Sequence, residues 1–143
     1  MPSENTFRIC VLPGDGIGIE VTAAAVEILG AVSRRSGEFG LDFQNFAAGA
    51  EQYLASGVAM PEESWRAAEE ADAIFLGAMG LPRVRYEDGT EITPQLDLRF
   101  RFDLYAGVRP VSARRGGPLV LRDSRANDVD FVLGRGSTEG CVA

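Results

Sequence analysis

The six-residue run Phe7-Arg8-Ile9-Cys10-Val11-Leu12 is cut off by Pro13-Gly14-Asp15-Gly16, after which Ile17, Val21, Ala24, Ala25, Ile28, Leu29 and Val32 recur at helical spacing. A short apolar run, a glycine-rich break and then a period of about 3.6 residues predict a strand, a tight turn and a helix. Leu41 to Ala47 is compatible with a second strand, and Gly49 to Ser56 with one or two helical turns. Pro61 followed by Glu62 and Glu63 sets a proline where its missing N–H costs nothing and acids where the helix dipole favours them. A helix is therefore predicted from Pro61 to about Ala71, and Asp72-Ala73-Ile74-Phe75-Leu76 reads as a buried strand before a Gly/Pro-containing loop that reaches about Thr93.

Strand, helix, strand, helix, strand calls for a parallel sheet with covering helices, which places the chain in the α/β class. Further along, Pro94 to about Phe102 predicts a helix and Leu104 to Arg109 a strand. A Gly-, Pro- and Arg-rich stretch, Ser112 to Asn127, then leads to a last strand, Val129 to Leu133, and a loop-like segment from Arg135 to Gly140. No helix follows to cover that strand, whereas parallel sheets normally have both faces covered, so the chain is expected to be a piece of a larger fold.

Composition narrows the function. The 143 residues suit one domain, and 45% hydrophobic with 24% charged residues is ordinary for a globular chain. A net charge of −7 disfavours nucleic acid as a partner, because phosphate binding needs a basic surface, and points to a small molecule. Cys10 and Cys141 lie far apart without metal-ligand spacing, and Met1 to Arg8 is polar, unlike a secretory leader; the expected location is cytoplasmic. Apolar runs fall well short of the ~20 residues of a membrane span. With no His, imidazole chemistry is excluded within the chain, and every basic residue is Arg.

Gly14-Asp15-Gly16-Ile17-Gly18 approximates a dinucleotide-binding fingerprint, yet the third glycine would stand at position 19, which is Ile19. No isolated acid closes the second strand to take a ribose hydroxyl. A tight turn whose glycines supply unusual backbone angles is the alternative reading.

Four ordered blocks carry a more specific signal. Leu12-Pro13-Gly14-Asp15-Gly16-Ile17-Gly18 with Glu20-Val21 comes first, followed by Leu76-Gly77-Ala78. Leu98-Arg99 with Asp103-Leu104-Tyr105-Ala106 and Val108-Arg109-Pro110 is the third, and Arg135 with Ser137-Thr138-Glu139-Gly140 the last. Together they resemble the isocitrate and isopropylmalate dehydrogenase family, the β-decarboxylating dehydrogenases of 2-hydroxy acids.

The resemblance implies a parallel-sheet, isopropylmalate-dehydrogenase-like α/β fold, incomplete here. Residues 1–103 would form the N-terminal part of the first domain and 104–143 the truncated start of a second. It also implies a homodimer, NAD or NADP, and Mg²⁺ or Mn²⁺. In such enzymes hydride leaves the hydroxyl-bearing carbon, the keto acid loses its β-carboxylate as carbon dioxide, and the metal stabilises the enolate. By motif position Arg99, Arg109 and Arg135 take the substrate-arginine places, where a planar guanidinium fork matches a carboxylate. Thr93 and Gln95 occupy positions that read the variable part of the substrate. The loop from Gly80 to Ile92 falls beside the nicotinamide end of the cofactor, which assigns Gly80, Leu81, Pro82, Thr90 and Ile92 to cofactor binding. The glycine turn then becomes architecture near the cofactor cleft.

Plainer roles stand beside these. An arginine in a charged helix, as at Arg99, is commonly a solvated side chain or an intrahelical partner, and Thr93 before Pro94 is also a candidate N-cap. Arg101, Asp97 and Asp103 read as surface charges. Gly134 and Gly136 replace the aliphatic and acidic residues usual around Arg135, and are expected to loosen the backbone that holds it. The family's proton-delivering tyrosine, lysine base, metal aspartates and adenosine-binding segment have no counterpart, and Tyr53, Tyr86 and Tyr105 sit in other blocks. No catalytic residue and no metal ligand is therefore assigned, and the chain alone is expected to be inactive. An anion-binding or subunit-interaction module and a non-functional gene remnant are the alternatives. Gln95 is polar where an isopropylmalate enzyme would place an apolar contact, which favours a smaller polar acid such as malate or tartrate.

Overall fold

The computed structural model describes residues 5–113 and 123–136, and divides into two compact units, Met1–Asp97 and Leu98–Ala143. The first unit runs β1 (Thr6–Leu12), α1 (Ile17–Ser36), β2 (Gly40–Asn45), α2 (Ala50–Ser56), α3 (Glu62–Glu70) and β3 (Ala73–Leu76). Its sheet is parallel throughout, in the order β2-β1-β3, with Cys10 opposite both Gln44 and Ile74. β1 is central because its apolar run suits burial on both faces; Cys10, Val11 and Leu12 are all buried. Burial also pushes the Cys10 thiol up from its ordinary pKa, leaving it protonated and unreactive at neutral pH. Cys141 lies outside the described residues.

α1 ends at Gly37, whose left-handed backbone directs its N–H to the Ser33 carbonyl. The helix turns its small residues inward: Gly18, Thr22 and Ser33 are buried, while Ile17, Val21, Ile28 and Val32 are exposed, Ile28 by 64%. The apolar periodicity thus marks the helix without marking its inner face, since close approach to the sheet selects small side chains instead. α3 begins just after Pro61, as predicted, and buries Ser64 and Ala68; the Ser64 hydroxyl donates to the Ala47 carbonyl at 2.7 Å.

The stretch after β3 has more order than the predicted loop. Arg85 and Glu91 form an antiparallel bridge, Tyr86 and Thr90 pair through the backbone at 3.0 Å, and Gly89 closes the turn onto the Tyr86 carbonyl at 2.9 Å. Val84 and Ile92, on the two arms, enter a small core with Ala50 and Ala59.

α4 (Pro94–Arg101) leads into the second unit, which contains β4 (Ala106–Ser112), a 3₁₀ turn at Ser124–Asp128 and β5 (Asp130–Gly136). β4 and β5 form a separate antiparallel ribbon instead of extending the parallel sheet. Strands that run antiparallel need no crossover helix, and among the described residues only the 3₁₀ turn lies between them. β5 also reaches farther than predicted: Arg135 is a strand residue rather than part of a loop, paired opposite Gly107. Gly134 and Gly136 are likewise held in register, opposite Val108 and Ala106. Neither has a positive φ, so the expected loosening around Arg135 is countered by the ladder.

Candidate functional site

The glycine turn is closed by backbone. Gly14 has φ +78°, and a Cβ there would overlap the Ala78 carbonyl; Asp15 N–H donates to that same carbonyl at 2.8 Å, and Gly77 N–H donates to Leu12 at 2.8 Å. The turn after β1 and the turn after β3 therefore interlock without room for a phosphate between them. This favours the architectural reading of the glycines over the phosphate-binding one.

Asp15, between two of those glycines, is 3% exposed, and its carboxylate is filled by backbone donors. Oδ2 accepts Ala50 N–H at 2.8 Å and Gly80 N–H at 2.7 Å, while Oδ1 accepts Glu51 N–H at 2.8 Å. An ionised carboxylate with three such donors has the satisfaction that burial requires. Gly49 packs against it so closely that a Cβ would strike the carboxylate. One acid thus caps α2 from outside the helix and holds the start of the segment after β3.

That segment gathers most of the residues assigned to the first unit. Gly80, Leu81, Pro82, Ile92, Thr93 and Gln95 border one cavity of about 140 Å³ together with Met79 and Glu91. This is smaller than the ~300–1,000 Å³ of a typical ligand pocket, so these residues supply a wall or a corner rather than a whole site. Thr93 stands at the start of α4, its carbonyl accepting Leu96 N–H at 2.8 Å. The Gln95 amide Oε1 is buried and has no hydrogen-bond partner among the described residues. Ile92 is 1% exposed and its side chain belongs to the core. Thr90 is not among the cavity residues: it sits near the hairpin tip, its hydroxyl donating to Asp88 at 2.7 Å. The hydrogen bonds from Thr90 hold Asp88 below the usual carboxylate range.

Two features brace the hairpin. Tyr53 and Tyr86 meet edge to face with centroids 5.1 Å apart, and Arg85 pairs with Glu91 at 3.0 Å on the surface. Burial pushes the Tyr86 hydroxyl above its ordinary pKa, with the charges of Asp97, Tyr53 and Asp88 adding to the shift.

The three candidate substrate arginines, Arg99, Arg109 and Arg135, all fall in the second unit. Arg99 is exposed in the last turn of α4, and its carbonyl accepts Leu104 N–H at 2.9 Å. Arg109 pairs with Leu133 and Gly107 with Arg135, so the pleat puts Arg109 and Arg135 on one face of the ribbon as diagonal neighbours, both exposed. Two guanidinium groups so placed suit an anion with more than one carboxylate. Among the described residues no cluster of His, Cys, Asp or Glu could hold a metal ion, and no helix is long and apolar enough to cross a membrane.

Asp15 is the residue that sequence reasoning passed over. Its signal was present as an acid enclosed by glycines, but its partners are backbone groups remote in sequence.

The sequence profile of a family described as isocitrate/isopropylmalate dehydrogenase matches residues 8–143. A probable tartrate dehydrogenase/decarboxylase of Agrobacterium vitis is 37% identical over 134 residues, which cover 94% of this chain and 37% of the relative. A 3-isopropylmalate dehydrogenase of Bifidobacterium longum is 39% identical over 138 residues, covering 94% of this chain and 38% of its own length. Among solved structures, a β-decarboxylating dehydrogenase of Thermococcus kodakarensis in its apo form superposes with a TM-score of 0.69 at 30% identity, over 94% of this chain and 35% of that one. The chain spans little more than a third of the length of the relatives it matches.

Proposed function

Because the chain belongs to the isocitrate/isopropylmalate dehydrogenase family, we propose that it supplies the substrate-arginine portion of an NAD(P)- and divalent-metal-dependent oxidoreductase that oxidatively decarboxylates a 2-hydroxy di- or tricarboxylic acid. The observation that carries this reading is the register of the ribbon, which brings Arg109 and Arg135, distant in sequence, onto one face. Arg99, Arg109 and Arg135 hold the substrate carboxylates, each guanidinium offering a charge-assisted, planar pair of donors. Thr93 and Gln95 read the remaining substituent. Gln95, polar where an isopropyl group would need an apolar contact, suits a small hydroxylated acid of the malate or tartrate type better.

The cofactor fits in part. Gly80, Leu81 and Pro82 offer a wall for the nicotinamide end, with Thr90 and Ile92 acting through the hairpin that backs it. The closed glycine turn offers nothing to a pyrophosphate. For the metal, the described residues hold no cluster of His, Cys, Asp or Glu that fits. What these residues do is bind and orient. Arginines that grip the ground state and the transition state alike give affinity without turnover, so the 143-residue chain is inactive by itself, and a homodimeric, cytoplasmic enzyme is the context in which the portion would act.

Calorimetry with D-malate and tartrate, combined with a steady-state assay containing NAD or NADP and Mn²⁺, tests this. Dicarboxylate binding that weakens about tenfold in Arg109→Ala is expected, without turnover. No binding, or metal-dependent turnover by this chain, would overturn it.

A further inference from the structure

We infer that Asp15 is a positioning residue: its carboxylate fixes the Gly80–Pro82 wall at the place where the cofactor is to be met. The inference rests on the reading above that this wall borders the nicotinamide end. Asp15 grips the segment at two points, through its own N–H to the Ala78 carbonyl at 2.8 Å and through Oδ2 to Gly80 N–H at 2.7 Å. These contacts bracket Met79 and leave the backbone at residues 78–80 little freedom just before Leu81 and Pro82 enter the cavity lining.

The same oxygen accepts Ala50 N–H, and α2 contributes Ala50 to the core that seats Ile92. Both ends of the cavity-lining segment are therefore referred to one buried acid: Gly80 directly, Ile92 through α2. The three N–H groups converge as they would on a bound anion, with Asp15 as the permanent occupant. Asp15 itself contacts no ligand. It acts through the backbone of Gly80.

An occupant of this kind is replaceable. Asp15→Ala empties the three-donor nest while leaving the donors in place, and formate has the charge and size to refill it. Asp15→Asn keeps the volume but presents an amide NH₂ to at least one N–H, so it provides a second variant with smaller packing loss.

The test uses the 143-residue chain and three readouts: amide exchange at Gly80 against amides of β1, NADH titration by fluorescence, and D-malate calorimetry. In Asp15→Ala, Gly80 exchange is expected to accelerate at least about tenfold and NADH affinity to fall about tenfold, with malate affinity within about twofold. Formate, and not chloride at equal ionic strength, is expected to restore Gly80 protection and NADH affinity together. Asp15→Asn should show the same pattern without rescue.

Unchanged Gly80 exchange in both variants would overturn the inference, as would Gly80 release with undiminished NADH binding. Equal loss of NADH and malate binding without formate rescue would reduce Asp15 to a general stabilising residue and also overturn it. If the parent chain binds no NADH, the reading of the wall as a cofactor surface fails, and with it the positioning role. The exchange data would then show whether the grip on Gly80 exists without that purpose.

Discussion

Arg109 and Arg135 project from one face of the β4–β5 ribbon, two residues apart in register, because Arg109 lies opposite Leu133 and Arg135 opposite Gly107. At about 7–8 Å along the diagonal, two arginine side chains can reach a single small diacid. Arg109→Ala and Arg135→Ala are each expected to weaken malate or tartrate binding about tenfold, roughly 1.4 kcal/mol, and the double variant less than additively. Val108→Ser, on the opposite face, should leave affinity unchanged. Calorimetry on the four proteins checks the set; equal losses at Val108 and Arg109 would contradict the shared face.

The hairpin separates a core residue from a surface pair. Ile92→Ala empties a nearly fully buried position and is expected to cost about 2–4 kcal/mol. Glu91→Gln removes only the exposed pair with Arg85 and should cost under about 1 kcal/mol. Urea unfolding of both variants measures the contrast. A smaller loss at Ile92 than at Glu91 would mean that the hairpin is not seated on that core.

Tyr86 makes stability fall at high pH. Its neutral form is favoured in the folded state, so the folded protein holds this proton more tightly than the unfolded chain does. The stabilising difference is complete below the ordinary tyrosine pKa of about 10 and is lost as pH rises through the folded value. The urea midpoint should therefore drop more steeply above about pH 10 in the parent than in Tyr86→Phe. Parallel pH profiles would contradict this, and tyrosinate absorbance of the parent should show a late-titrating component that Tyr86→Phe lacks.

Gly14 has no room for a methyl group. Its φ of +78° is unfavourable for alanine and the Ala78 carbonyl occupies the Cβ position, so Gly14→Ala is expected to destabilise the chain by about 3 kcal/mol or more. Thermal unfolding reads the effect, and a change below about 1 kcal/mol would show that the two turns can move apart.

Much of the first unit was legible in the sequence because its punctuation is chemical: Pro13-Gly14 ends β1 and Pro61 starts α3. What was not legible depended on contacts remote in the chain. The inward face of α1 is chosen by how closely Gly18 and Thr22 let the helix approach, which apolar spacing does not report. The pairing sense of β4 and β5 belongs to neither strand alone, so the alignment of Arg109 with Arg135, and the ordered setting of Arg135, emerged only from the register. Gly80, Leu81, Pro82, Ile92, Thr93 and Gln95 border one cavity, Ile92 also entering the core, while Thr90 lies apart and bonds Asp88.

The Asp15 carboxylate spans 35, 36 and 65 residues of chain with its three hydrogen bonds. Each requires a loop to close before it forms, and loop closure carries an entropic cost that local contacts escape. Since two of the bonds share one oxygen, that oxygen is fully satisfied only when α2 and the Gly80 segment are both docked. A chain released before residue 80 has emerged would lack the last donor, which ties completion of this turn to the order of synthesis.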